Sequence, residues 1–305
     1  MVNFPNKSRV CFIGDSLVAS NMHLSRIVDY YCKHFPENEI EFFNCGTSGG
    51  NYRSPINFFY DDVLSHNPTH AVVAFGINDS SRTFLADSRS EKRSEILHNA
   101  YENYMKNLAE CCELLRKHNI EVILCTPAPY DEYSPKNSDA FKGGYALMLG
   151  YSEFVRKYAS ENNIPVCDYN AYLSKKLETD EKAIYSDDRV HPNEYGYYLL
   201  ANCFIEFMGH TPDEEAPIPD YLAEWHKTVR RLRVIFGTEH MIIKNYSMPY
   251  EEKMKNMQDK IAKSDWGAPV FEGFIRGFVA EKPNQEKLYK EIDDLYKKDI
   301  IHHYK

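Results

Sequence analysis

Residues 9–16 have the sequence Arg-Val-Cys-Phe-Ile-Gly-Asp-Ser, in which an apolar run ends in a glycine. The apolar run predicts a strand covered on both faces, because such strands lack the alternation of half-exposed ones. Gly14 permits a tight exit from the strand. Leu24, Ile27 and Tyr31 then recur at helical spacing. Strand, tight turn and helix together form the first half of a βαβ unit.

The same alternation continues along the chain as far as about residue 208. Further strands are predicted over residues 39–44, 70–75, 121–125 and 164–168, and helices over about 97–115 and 150–162. Strands that alternate with helices indicate an α/β fold, in which helices cover both faces of a parallel sheet. Sites in such sheets form at the carboxyl ends of the strands, so we expect the function to lie in the loops that follow them.

Composition excludes several classes of partner. The 305 residues carry a net charge of −9, and no basic stripe is present, so we expect no nucleic-acid partner. The longest apolar runs are strand-length, well short of the ~20 residues that a membrane span needs. Eight scattered cysteines without a CxxC pair, and no apolar signal-like segment after Met1, favour reduced thiols and a cytoplasmic location.

A change of composition after Gly209 predicts two domains. Residues 210–220 hold three prolines and four acidic residues, which is typical of a linker. Apolar residues beyond it recur at spacings of three and four, which predicts helices with apolar stripes. We therefore expect one domain over residues 1–209 and a helical extension over residues 210–305. The extension either packs on the core or forms a homo-oligomer interface.

Two loops near the start of the chain could carry acyl-transfer chemistry. Ser16 lies where a helix begins, so helix-end N–H groups would face it as a nucleophile; the simpler interpretation is a helix N-cap. Residues 44–50, Asn-Cys-Gly-Thr-Ser-Gly-Gly, form a glycine-rich loop after a strand. Such a loop lets backbone N–H groups approach an anion, although it could also be an ordinary turn.

Two later loops could supply the remaining groups. Asn78, in Gly76-Ile-Asn-Asp79, could donate its amide to an oxyanion or could form an Asx-turn. Asp188 and His191, in Asp188-Arg-Val-His-Pro192, place a base and a group that orients it on one turn. Each of these patterns is weak evidence by itself.

Taken together and in this order, the four segments resemble the motif blocks of the SGNH, or GDSL, hydrolases, over about residues 8–208. The resemblance implies a flavodoxin-like three-layer α/β/α sandwich with a five-stranded parallel sheet. It implies a serine ester hydrolase with Ser16 as nucleophile, His191 as base and Asp188 as its orienter. The oxyanion donors would be the backbone N–H groups of Ser16 and Gly46 and the amide of Asn78. No metal or other cofactor is implied.

Three alternative functions or mechanisms stay open. Gly46-Thr-Ser-Gly-Gly50 matches the nucleophile elbow of α/β-hydrolases, with Ser48 as nucleophile, although that fold keeps its acid and its histidine on separate loops. A metal hydrolase would need a clustered His/Asp ligand set, and none stands out. The chain could also be a non-catalytic binding module.

The expected substrate is a short acyl group, most simply acetyl, on a carbohydrate or similar polar alcohol. The loops that follow the strands are mostly polar, and their tyrosines (Tyr52, Tyr130 and Tyr133) could stack on sugar faces. Many members of the family that the chain resembles remove acetyl groups from sugars. The alternative is a lysophospholipase or acyl thioesterase.

Overall fold

A computed structural model describes residues 4–57, 59, 63–80 and 93–217. Its sheet has five parallel strands in the order β2-β1-β3-β4-β5. The strands are β1 (Arg9–Gly14), β2 (Glu41–Gly46), β3 (His70–Ala74), β4 (Glu121–Cys125) and β5 (Val166–Cys167). This order, with its reversal between β1 and β3, is the flavodoxin-like one, and it confirms the predicted fold class.

The described residues form seven α-helices. They are α1 (Ser16–Ala19), α2 (Met22–His34), α3 (Arg53–Asn57), α4 (Arg93–Lys117), α5 (Gly144–Asn162), α6 (Tyr169–Thr179) and α7 (Glu194–Phe207). Helix α5 begins six residues before the predicted start, because Ala, Leu and Met in its first turns are strong helix formers. Strand β5 is shorter than predicted, since Pro165 has no N–H to give the sheet and Asp168 already caps α6.

Alternate residues of the central strands face opposite helical layers. Ile13 of β1 lies in the core cluster that contains Leu108 of α4 and Val155 of α5. Phe12, its neighbour in the chain, faces the other way, and its ring centroid lies 5.3 Å from that of Phe204 of α7. Both faces of the sheet are therefore buried, which explains why β1 is apolar after Arg9.

The register of the sheet places three loops side by side. Gly14 pairs with Gly46 on one side and with Ala74 on the other, so the segments after β1, β2 and β3 leave from the same edge. The first of these segments turns directly into α1. A Cβ at Gly46 would lie 2.4 Å from the backbone nitrogen of Ala19, so α1 can pack on the end of β2 only because residue 46 is glycine.

The described part of the predicted linker lies against α2. The Asp213 carboxylate contacts Lys33 Nζ at 2.8 Å and His34 Nε2 at 2.9 Å, and Arg26 donates to the Ala216 carbonyl at 2.7 Å. The helices predicted after Pro217, with their predicted packing or oligomer interface, lie outside the described residues. Among the helices that are described, none is long and apolar enough to cross a membrane.

Candidate active site

Ser16 and His191 are brought into contact from opposite ends of the domain. Ser16 is the first residue of α1, and His191 lies in the turn before α7. The Ser16 Oγ and His191 Nε2 atoms are 2.8 Å apart. Ser48 is exposed, and its side chain makes no hydrogen bond within the described residues. The structure therefore pairs the candidate base with Ser16.

Asp188 holds both the ring of His191 and the turn that carries it. Its Oδ2 lies 2.5 Å from His191 Nδ1, and its Oδ1 accepts the backbone N–H groups of Val190 at 3.0 Å and His191 at 2.9 Å. Partial burial raises the pKa of Asp188, but these hydrogen bonds outweigh it and hold the pKa well below its usual range. An ionised Asp188 favours the tautomer with a proton on Nδ1, which leaves Nε2 free to accept the Ser16 proton.

The turn itself is closed on both sides. The Ser186 N–H donates to the His191 carbonyl at 2.9 Å, and Tyr185 pairs with Pro192 in an isolated antiparallel bridge. Asn193 then caps α7, since its Oδ1 accepts the N–H of Gly196 at 3.0 Å. A short loop between a bridge and a helix cap therefore fixes His191.

Asp15 caps α1 and leaves the neighbouring serine free. The Leu17 N–H donates to Asp15 Oδ1 at 2.9 Å, so the predicted cap role belongs to Asp15, while the Ser16 side chain contacts His191.

Burial raises the pKa of Asp15 to about 6, against the effect of its bond to Leu17. Burial also raises the pKa of Asp79 to about 8.

Two of the three predicted oxyanion donors have a proton available. The Ser16 N–H has no partner among the residues described. Asn78 donates one amide proton to the Gly50 carbonyl at 2.9 Å, and the second amide proton has no partner among the described residues. The Gly46 N–H instead donates to Asn44 Oδ1 at 3.0 Å, so the structure gives this predicted donor a partner inside the chain.

Gly49 is a donor candidate that the sequence did not single out. It lies on the same loop as Gly46, has a φ of 74°, and its N–H finds no partner in the described ranges. Three glycines within five residues signal an unusual backbone, but the sequence does not show which of them adopts the left-handed conformation.

A known protein family matches the part of the chain that contains this site. The model of the GDSL-like lipase/acylhydrolase family matches residues 12–199. The chain belongs to this family. The match contains Ser16, Asn78, Asp188 and His191, and it identifies the chain as a carboxylic ester hydrolase. The resemblance found in the motif blocks is thereby confirmed.

The individual relatives described next are at most 28% identical to this hydrolase. An acetylxylan esterase of Geobacillus stearothermophilus is 28% identical over 177 residues, which is 57% of this chain and 75% of that protein. A crystal structure of an acetylxylan esterase from the same organism has a TM-score of 0.58 at 23% identity, and covers 70% of this chain and 100% of that one. A gut microbial diltiazem-metabolizing enzyme has a TM-score of 0.61 at 25% identity. That match covers 68% of this hydrolase but only 48% of the other chain, so this hydrolase spans about half its length.

A cavity lies beneath the loops that carry the candidate residues. Its walls include Leu17, Ile77 and Val190, each of which is next in sequence to one of those residues, together with the polar side chains of Asp15, His23 and Thr126. Ser16 and His191 do not line it, so the cavity is not an acyl pocket that opens on Ser16.

The tyrosines predicted to stack on sugars differ in exposure. Tyr52 and Tyr130 are buried, and the Tyr130 hydroxyl accepts the backbone N–H of Phe141 at 2.8 Å, so neither offers a face to a ligand. Tyr133 is 76% exposed, and its ring centroid lies 5.7 Å from that of Tyr145. Of these three tyrosines, Tyr133 is therefore the one whose ring could contact a sugar.

Cysteines and metal-binding side chains give no second site in the described ranges. None of the eight cysteines forms a disulfide, and seven of them are buried. No group of three or more His, Cys, Asp or Glu side chains within the described residues could hold a metal ion.

Asn78→Ala should lower kcat by about 10²–10³-fold with little change in KM, because the lost amide acts on charge that develops in the transition state. Steady-state kinetics on 4-nitrophenyl acetate measure this effect. Asn51→Ala is the matched control, since Asn51 caps the neighbouring Arg53 N–H on the adjacent loop. An effect of Asn78→Ala confined to KM would instead make Asn78 a ground-state binder.

Proposed function

We propose that this hydrolase cleaves esters through an acyl-enzyme formed on Ser16. The observation that carries the proposal is the unbroken hydrogen-bond chain from Ser16 Oγ through the His191 ring to the Asp188 carboxylate. Ser16 Oγ attacks the carbonyl carbon while His191 Nε2 takes its proton. The negative charge that forms on the carbonyl oxygen is stabilised by the Ser16 N–H and the free Asn78 proton.

Collapse of this intermediate breaks the bond to the alcohol, whose oxygen receives the proton from His191 Nε2. Water then attacks the acyl-enzyme in the same way: His191 takes a proton from the water and returns it to Ser16 Oγ. The products are one alcohol and one carboxylic acid, and the enzyme is restored. For a third oxyanion donor, we propose the Gly49 N–H, or the Gly46 N–H once it leaves Asn44.

The proposed substrate is an acetyl ester of a carbohydrate. Two observations support it. A relative with 28% identity is an acetylxylan esterase. Tyr133 offers an exposed aromatic face, which suits the apolar face of a sugar ring.

The chain-length preference tests this substrate. We expect kcat/KM on 4-nitrophenyl esters from two to twelve carbons to be highest for acetate, and acetylated xylo-oligosaccharides to release acetate. Each additional methylene that a pocket accepts would add up to ~0.8 kcal/mol of binding, so the series measures the depth of the acyl pocket. A maximum at eight or more carbons without acetate release would instead support a lysophospholipase or a thioesterase.

Tyr133→Ala separates the alcohol part from the acyl part. It should raise KM for the oligosaccharide about 2- to 10-fold while leaving 4-nitrophenyl acetate unchanged, because only the sugar would use the ring. Tyr133→Phe keeps the ring and is the control. Equal effects on both substrates would contradict a sugar contact.

We also propose a cytoplasmic location, which the absence of a disulfide among the eight cysteines supports. Mass spectrometry of the protein isolated from its natural cells under alkylating conditions tests it. Disulfide-linked cysteines would contradict the proposal.

A further inference from the structure

Arg189 lies in the segment that carries Asp188 and His191, here called the catalytic turn (residues 185–192). It combines two unfavourable features. It is only 5% exposed, and its backbone has a φ of 66°, in the left-handed region that favours glycine. A buried charge and a left-handed non-glycine residue each cost free energy unless the surroundings compensate. Arg189 also lies between Asp188 and His191, so any strain in its backbone acts directly on the base.

The compensation comes from main-chain carbonyls of one loop. The guanidinium makes six hydrogen bonds, all to backbone oxygens in the loop that follows β4, here called the clamped loop (residues 131–138). Nε donates to the Ser138 carbonyl at 3.0 Å. Nη1 donates to the carbonyls of Asp131 at 3.1 Å, Glu132 at 3.4 Å and Ser134 at 3.0 Å. Nη2 donates to the carbonyls of Lys136 at 3.5 Å and Ser138 at 2.9 Å.

Contacts in the opposite direction hold the same two segments together. The Asp131 N–H donates to the Arg189 carbonyl at 3.1 Å. Lys136 Nζ donates to the Tyr185 carbonyl at 2.7 Å and lies 3.4 Å from the Asp131 carboxylate. The Ser138 hydroxyl donates to the Asp187 carbonyl. The clamped loop is thus bound to three residues of the catalytic turn, namely Tyr185, Asp187 and Arg189. Arg189 makes most of these bonds.

This arrangement has a direct consequence for the triad. Asp188 bonds to the backbone of its own turn and to His191, so it does not tie the turn to the sheet that carries Ser16. The clamped loop is continuous with β4, a strand of that sheet. We propose that Arg189 is a positioning residue, which fixes the Asp188–His191 turn to the sheet through the clamped loop and so sets how His191 Nε2 meets Ser16 Oγ. This inference rests on the proposed roles of Ser16, Asp188 and His191.

Two substitutions at residue 189 test the inference. Arg189→Gly removes the guanidinium and suits the left-handed backbone, while Arg189→Lys keeps the charge without the planar fork. Arg9→Lys is the matched control, since Arg9 donates to the His66 carbonyl at 2.7 Å and pairs with Glu41 at the amino end of β1, away from the triad. For each variant, kcat, KM, the thermal midpoint and the rate constant for labelling by a serine-directed phosphonate are measured well below the midpoint.

Arg189→Gly is expected to lower kcat and the labelling rate constant by about 10- to 100-fold with KM changed less than about threefold, because a misplacement near 1 Å costs about 10²-fold. Arg189→Lys should recover part of this loss. Arg9→Lys should lower the midpoint while leaving both rate constants unchanged. If Arg189→Gly fails to fold, Arg189→Lys alone decides the question.

Wild-type kcat and labelling in a folded Arg189→Lys or Arg189→Gly variant would overturn the inference, whatever happens to the midpoint. Failure of the proposed function would look different. In that case the wild-type protein would not be labelled by the phosphonate, or Ser16→Ala would retain full activity.

Discussion

Ser16→Ala is expected to lower kcat on 4-nitrophenyl acetate by about 10⁴–10⁶-fold. The substitution removes the oxygen that forms the acyl-enzyme, and the remaining donors can only assist a slow attack by water. KM should change little if substrate contacts lie elsewhere in the site. Stopped-flow or overnight assays on protein free of wild-type contamination measure the residual rate, and labelling by a serine-directed phosphonate should disappear with it.

Ser48→Ala is the matched control for this prediction. Ser48 lies on the neighbouring loop, is exposed, and belongs to the Gly46-Thr-Ser-Gly-Gly50 segment that mimics a nucleophile elbow. We expect this variant to keep most of the activity and to label normally. An inactive Ser48→Ala together with an active Ser16→Ala would reverse the assignment. Full activity in both variants would support the non-catalytic alternative for this site.

Asp188→Asn is expected to lower kcat by about 10³–10⁴-fold. An asparagine amide at this position can donate to His191 Nδ1, which favours the tautomer with the proton on Nε2. That tautomer cannot accept the Ser16 proton. Because hydrogen bonds hold the pKa of Asp188 well below its usual range, the wild-type carboxylate is ionised throughout the working range. The defect should therefore be similar at every point from about pH 6 to pH 9.

Asp187→Asn is the control for this second prediction. Asp187 is exposed and adjacent to Asp188, and its backbone carbonyl accepts the Ser138 hydroxyl. The variant changes the same charge on the same turn and should keep near-wild-type kcat. If Asp187→Asn and Asp188→Asn lost activity equally, the cause would be the net charge of the turn rather than the orientation of His191.

Most of the fold could be predicted because its signals are local. The apolar run of β1, the helical spacing in α2 and the exit at Gly14 each depend on residues within about one turn or strand of one another. Strand β5 was overestimated for a reason that is also local, since Pro165 limits pairing. Helix α5 begins earlier than predicted, although the strong helix formers Ala, Leu and Met in its first turns are also a local signal.

The sequence by itself determined the α/β alternation and the position of the four motif loops, because periodicity and motif order are properties of the linear chain. The residues proposed for the triad are those that the family resemblance implies. Only the tertiary structure decided which glycine N–H is free, which tyrosine is exposed, and what Arg189 holds. The Gly46 N–H is occupied because the Asn44 side chain accepts it, and Tyr130 offers no face to a ligand because it is buried, with its hydroxyl bonded to the Phe141 N–H. The six carbonyl contacts of Arg189 lie more than fifty residues away along the chain. A contact across that separation leaves no periodic signal in the sequence, because it depends on where two loops meet once the sheet has formed.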